Sequence, residues 1–178
     1  PRSRRRFTRG IFMPLLKSGK IIDDPRQYWD GPEGELSGGQ PIVTLRQWRE
    51  HRDHLLALAV PLGILLSSEQ TPGEIREDLK YFDVVALDFP AFTDGRSYSN
   101  AKRLRERFKF KGEVRAVGDV LRDQYLNLVR CGFDALEVQD GETEAGFVLA
   151  TGAISTPFQP GLEGQPTAMS LRQRRLAG

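Results

Sequence analysis

The sequence predicts an α/β protein built on a parallel sheet of about five βα units. Three observations lead there. Short apolar runs alternate five times with helix-like stretches between residues 42 and 152. That alternation calls for right-handed crossovers and parallel strands. Three consecutive runs pair an apolar face with a face that carries charge. The chain of 178 residues, 39% hydrophobic and 28% charged, suits one domain long enough to bury a core.

The elements follow in order. Residues 1–12 hold five arginines and no acid and read as a disordered basic extension ahead of a start at Met13. "LLKSGKII" reads as a hairpin, with Gly19 supplying the positive φ of a tight turn. Asp30–Pro41 is a loop by composition. "IVTL" (42–45) leads into a helical stretch through Ala59. "LGILL" (62–66) precedes Thr71-Pro72, a cap and first-turn pair, and a helix to about Tyr81. "VVALDF" (84–89) precedes a loop and a helix bearing Ala101, Leu104 and Phe108. "EVRAVG" (113–118) precedes a helix with Val120, Leu121, Leu128 and Val129. "ALEV" (135–138) precedes a weaker helix from about Glu142 to Gly152. The single α/β domain is expected over 13–160, and 161–178 read as a disordered basic tail.

Successive strand residues point to opposite faces. Val85 and Leu87 therefore oppose Ala86 and Asp88. Val114, Ala116 and Gly118 oppose Arg115, Val117 and Asp119. Leu136 and Val138 oppose Ala135, Glu137 and Gln139. An open sheet covered on both faces should be apolar on both, whereas a barrel-like sheet gathers polar groups inside. A small or incomplete TIM-like (β/α) barrel is thus expected ahead of an open three-layer sheet. Five units are few for an eight-stranded barrel, so the N-terminal hairpin is a candidate to cover the gap.

The net charge of +2 hides an uneven distribution. The first twelve residues carry +5 and the last eighteen +2, which leaves the body at −5. An acidic body argues against nucleic-acid binding. No apolar stretch is long enough for a membrane helix. The one cysteine, Cys131, rules out an internal disulfide, a Cys-x-x-Cys pair and an iron–sulfur cluster. It reads as a packed thiol in a reducing cytoplasm.

Three constellations carry possible chemistry. Asp88 ends a strand, and Asp94-Gly95-Arg96 lies in the next loop, where α/β folds bind ligands. Ser97 or Ser99 is placed to cap the following helix, and Arg96 to grip an oxyanion. The plain alternative is a turn and a cap with Arg96 solvated. Gly118-Asp119 ends the next strand, and Arg122 falls in a helix's first turn, against the dipole. An anion there makes sense of it; a salt bridge to a nearby acid does too. Arg115 and Glu137 share a face in mid-strand, where charges are costly unless paired. Asp88, Asp119 and Glu137 are the candidates for proton transfer, with a structural Arg115–Glu137 ion pair as the other reading. His51 and His54 lie three apart on a helix with no second ligand cluster, so a solvated face is expected rather than a metal site. No nucleotide-binding glycine fingerprint, P-loop or nucleophile elbow is present, and no cofactor is evident.

"MPLLKSGKIIDD", "LDFPAFTDGRSYSNAKRLRERF", "GEVRAVGDVLRDQ" and "RCGFDALEV" together resemble the bacterial domain-of-unknown-function family nine-three-four, labelled as oxidoreductases of sulfite reduction. The resemblance spans Met13 to about Pro160. It implies an accessory protein or oxidoreductase of assimilatory sulfite reduction in the cytoplasm, with sulfite reductase as partner. Its distinctive positions include Asp88, Asp94, Gly95, Arg96, Tyr98, Arg115, Gly118, Asp119 and Arg122. The pocket expected from both readings binds a small anion through Asp94, Gly95, Arg96, Ser97, Tyr98, Arg115, Gly118 and Arg122. The alternatives are a non-catalytic module that binds sulfite reductase and a barrel enzyme for a small anionic metabolite.

Overall fold

The computed structural model describes residues 14–31 and 39–138. Among them, eight strands form one sheet: β1 (Leu15–Lys17), β2 (Lys20–Ile22), β3 (Arg26–Tyr28), β4 (Gln40–Thr44), β5 (Leu62–Leu66), β6 (Phe82–Phe89), β7 (Glu113–Gly118) and β8 (Ala135–Glu137), in the order β2-β1-β8-β7-β6-β5-β4-β3. Strands β3 to β8 are all parallel, and β1 pairs antiparallel with both β2 and β8. The protein is α/β, and the five strands expected from the apolar runs all form. The hairpin forms too, on a two-residue turn in which both Ser18 (φ 52°) and Gly19 (φ 77°) are left-handed, as a type I′ turn requires. β3 adds a sixth parallel strand that its charged three-residue sequence does not announce.

Connectivity forces this sheet to curl. β2 and β3 lie at its two ends, yet only Asp23, Asp24 and Pro25 join them. Four Cα steps reach about 14 Å, whereas eight flat strands would hold these ends about 34 Å apart. The sheet therefore bends into a half-barrel. The Tyr28 hydroxyl of β3 donates to Glu137 Oε1 of β8 at 2.6 Å, between strands that a flat sheet would separate by about 24 Å.

The curl makes two unlike faces. Inside, Ile42, Leu65, Ala86 and Val117 pack together with Tyr28 against them. The inner wall is narrow at β5, where a Cβ on Gly63 would stand 2.9 Å from Ile42 Cγ1. Outside, Val43, Ile64, Val85, Leu87, Val114, Ala116 and Leu136 join the larger core under the helices. The sidedness expected for β6, β7 and β8 is the sidedness observed.

Helix α1 (Leu45–Ala57) starts on a reciprocal capping box between Thr44 and Gln47. It buries Leu45, Trp48 and Leu55. Trp48 meets Phe82 edge-on at 4.7 Å and donates Nε1–H to Asp78 Oδ2 at 2.9 Å. His51 and His54 flank Trp29, with ring centroids 5.3 and 6.1 Å away; His54 is exposed, as expected of a solvated face, while His51 is half-buried. The helix expected over 72–81 is instead two 3-10 turns, Pro72–Ile75 and Leu79–Tyr81. Thr71 is the N-cap and Pro72 opens the turn as expected, and Thr71 N–H also donates to Glu74 Oε1 at 3.0 Å, but Gly73 weakens helix propagation immediately after. Helix α2 (Arg96–Lys102) runs into a π turn, Arg103–Arg107. A 3-10 turn, Arg122–Gln124, precedes α3 (Tyr125–Arg130), so that helix starts later than its apolar pattern suggests. Cys131 caps α3 and is buried. The weak helix expected over 142–152 lies outside the described residues.

Candidate functional site

β6 delivers Asp88 to the C-terminal end of the sheet, where three loops meet. The neighbouring strand comes unusually close. Gly118 has φ 96°, and a Cβ there would stand 2.5 Å from Phe89 O and 2.7 Å from Asp88 Oδ1. Only glycine permits that approach. It lets Asp119 N–H donate to Phe89 O at 2.8 Å. The Asp88 carboxyl is half-buried, and burial, then the nearby Asp94 charge, pushes its pKa above the usual aspartate value.

Asp94 is pushed the other way. Its carboxylate accepts from Arg96 N–H (3.1 Å), Nε (3.0 Å) and Nη2 (2.7 Å). The Arg96 side chain, chiefly, holds it down at about 2. Gly95 is the N-cap of α2, with no side-chain cap. The expected serine cap is corrected: Ser97 lies inside the helix, is buried, and donates to Asp88 O at 2.6 Å. Tyr98 packs beneath, edge-on to Phe89 at 5.1 Å and to Phe133 at 6.2 Å. Burial raises its hydroxyl pKa.

Gln124 ties two loops together. Its Nε2 donates to Phe92 O at 2.9 Å, and its Oε1 accepts from Leu121 N–H at 3.1 Å. Phe92 and Leu121 are 51% and 44% exposed. The Arg122 side chain, assigned to the anion pocket by sequence, lies outside the described residues.

Arg115 belongs to a different cluster. It is 1% exposed on the inner face of β7. Nη1 bonds Asp24, while Nε and Nη2 donate to Glu113 Oε1 at 3.0 and 2.9 Å. Glu137 Oε1 lies 3.6 Å from Nη1, so the pairing of Arg115 with Glu137 is met with two further carboxylates added. Lys17 Nζ bonds Glu113 Oε2 at 2.7 Å. Burial pushes the Glu113 carboxyl up, but Lys17 and Arg115 outweigh it and hold it below the usual value. Burial pushes Glu137 up despite Tyr28 and Arg115. The same burial, together with Glu137, raises the Tyr28 hydroxyl.

The structure thus gathers Asp88, Asp94, Gly95, Arg96, Ser97, Gly118 and Asp119 at the strand ends. It places Arg115 and Glu137 in a separate network with buried Asp24, half-buried Tyr28 and Glu113, and Lys17 at its outer end. Glu113 was findable by alternation, two residues before Arg115 on the same face. Asp24 and Tyr28 were not, because they arrive only through the curl. Among the described residues, no group of three or more His, Cys, Asp or Glu is placed to hold a metal ion, and no helix is long and apolar enough to cross a membrane.

No curated protein and no solved structure matches the chain. The bacterial protein family of unknown function DUF934 matches residues 63–169, more than half of the sequence and nearly all of the parallel sheet from β5 onward, and the chain belongs to that family.

Proposed function

We propose that the chain is a non-catalytic accessory protein of assimilatory sulfite reduction that docks on sulfite reductase through the loops after β5, β6 and β7. The sulfite-reduction setting comes from the family resemblance. One observation supports docking over anion binding: the two guanidiniums of the expected oxyanion site whose side chains are described, Arg96 and Arg115, are held by the chain's own carboxylates. Arg115 is buried among Asp24, Glu113 and Glu137, and Arg96 is folded onto Asp94. A sulfite ion would have to displace charge-assisted bonds. The side chains described at these strand ends also set Asp88, Asp94 and Asp119 against Arg96. Among the described side chains acids outnumber bases there, which favours a basic surface over a dianion. Phe92 and Leu121, joined through Gln124, supply apolar anchors beside it.

The test is binding of purified sulfite reductase to the immobilised chain across a salt series. Binding should weaken as salt rises. Phe92→Ala should cost about 2 kcal/mol, roughly thirtyfold in Kd. Arg96→Ala should leave sulfite turnover by the mixture unchanged. Absence of binding at low salt sinks the docking reading.

The opposed shifts of Asp88 and Asp94 favour a second reading. Two carboxylates with separated pKa values are the usual equipment for proton transfer. Asp88 would then supply a proton to a small anion resting on the exposed side of Arg96. Loss of turnover in both Asp88→Asn and Arg96→Ala, with the fold intact, selects this reading over docking.

A further inference from the structure

At the other end of the sheet, Gly112 and Glu113 open β7 and Phe133 and Asp134 lead into β8. A basin of about 440 Å³ lies there, walled also by the hairpin turn at Lys17 and Ser18 and by Tyr125 and Val129 of α3. Its volume falls in the range of small-ligand sites.

The chemistry of its wall is selective. Both carboxylates are already paired with bases. Glu113 is bonded to Lys17 and Arg115. Asp134 is bonded to Arg105 and accepts from Val114 N–H at 2.7 Å. Lys111 is exposed and makes no ion pair among the described residues. Tyr125 and Phe133 are buried rings that give the basin an apolar floor. Gly112 is packed tightly on the side away from the basin, where a Cβ would stand 2.5 Å from Asp83 O and from the Phe110 ring, so this part of the wall is fixed in place. An ammonium without a partner beside an apolar floor fits a ligand with one anionic group and one ring-sized apolar body.

We infer that this basin is a second binding site, for a small amphipathic anion such as an aryl or branched-chain phosphate or carboxylate. The anionic group pairs with Lys111, and the apolar body lies on Phe133 and Tyr125. The site stands apart from the loops after β5, β6 and β7, and neither reading of those loops depends on it.

The test is an amide-resonance titration of the full chain with four probes: phenyl phosphate, benzoate, inorganic phosphate and benzyl alcohol. Phenyl phosphate should move the resonances of Gly112, Val129 and Phe133, and benzoate should move the same set if a carboxylate serves. Lys111→Ala should weaken phenyl phosphate about fivefold, the upper end of what an exposed ion pair supplies, and Lys111→Arg should keep it. Lys111 is a surface residue, so these variants should fold. Three results overturn the inference: no shift at these residues with either aryl anion, shifts that survive Lys111→Ala unchanged, or inorganic phosphate or benzyl alcohol binding as tightly as phenyl phosphate.

Discussion

Asp94 and Arg96 show how one residue's neighbour sets its charge. The pair is local, two residues apart, and three donors of Arg96 (N–H, Nε and Nη2) hold Asp94 ionised down to about pH 2. The folded pKa lies below the unfolded value of about 3.9. The pair's contribution to stability is therefore present above the unfolded value and lost as pH falls toward 2. Asp88 has the opposite sign. Its folded pKa is raised, so its ionisation weakens the fold as pH climbs through the folded value. Arg96→Ala should bring the Asp94 titration up toward the ordinary aspartate range, read from its carboxyl carbon by NMR. An unmoved titration would show that the guanidinium does not hold this proton off. Sequence reading picked out Asp88, Asp94 and Arg96 from their place at a strand end. It missed that Arg96 turns on its own loop, because i to i+2 bonding depends on the backbone at Gly95.

Among the elements, the strands were more legible than the helices. Apolar runs with alternating faces identify β4 to β8 because burial on a sheet has a strict period of two. The expected helix over 72–81 dissolves into 3-10 turns because a capped start does not guarantee propagation past a glycine. The junction of β6 and β7 is the element on which the strand-end site depends. Gly118 combines φ 96° with a Cβ position 2.5 Å from Phe89 O. Gly118→Ala must both strain the backbone and push β7 from β6, at a cost of about 2 to 4 kcal/mol. Denaturant unfolding should show that loss as a lower midpoint at unchanged m-value. A change under 1 kcal/mol would mean that the two strand ends separate freely, and that Asp88 is not held by this contact.

On the scale of the whole molecule, charge expected inside a barrel is found inside a curled sheet, but for a reason the sequence states only indirectly. The three residues between β2 and β3 bring the two sheet ends together, and no periodicity reveals which strands they join. Side chains then tie across the interior: Asp24 to Arg115, Tyr28 to Glu137. Nothing in the strand pairing joins β3 to β8 or to β2, so these bonds carry closure where backbone pairing does not. Each deep partner is costly to strand. Tyr28→Phe removes the hydroxyl and leaves the buried Glu137 carboxyl with one fewer donor, a loss of about 1 to 3 kcal/mol. If the ties close the curl, the loss must be felt first at the seam. Hydrogen exchange in Tyr28→Phe should then speed up in β3 and β8, which the tie joins, while the amides of β5 and β6, which it does not touch, keep their protection. Uniform acceleration across all strands would instead mean that the half-barrel opens only by global unfolding, and that its curvature is set by the short β2–β3 connection and the packing of Ile42, Leu65, Ala86 and Val117 rather than by the polar ties.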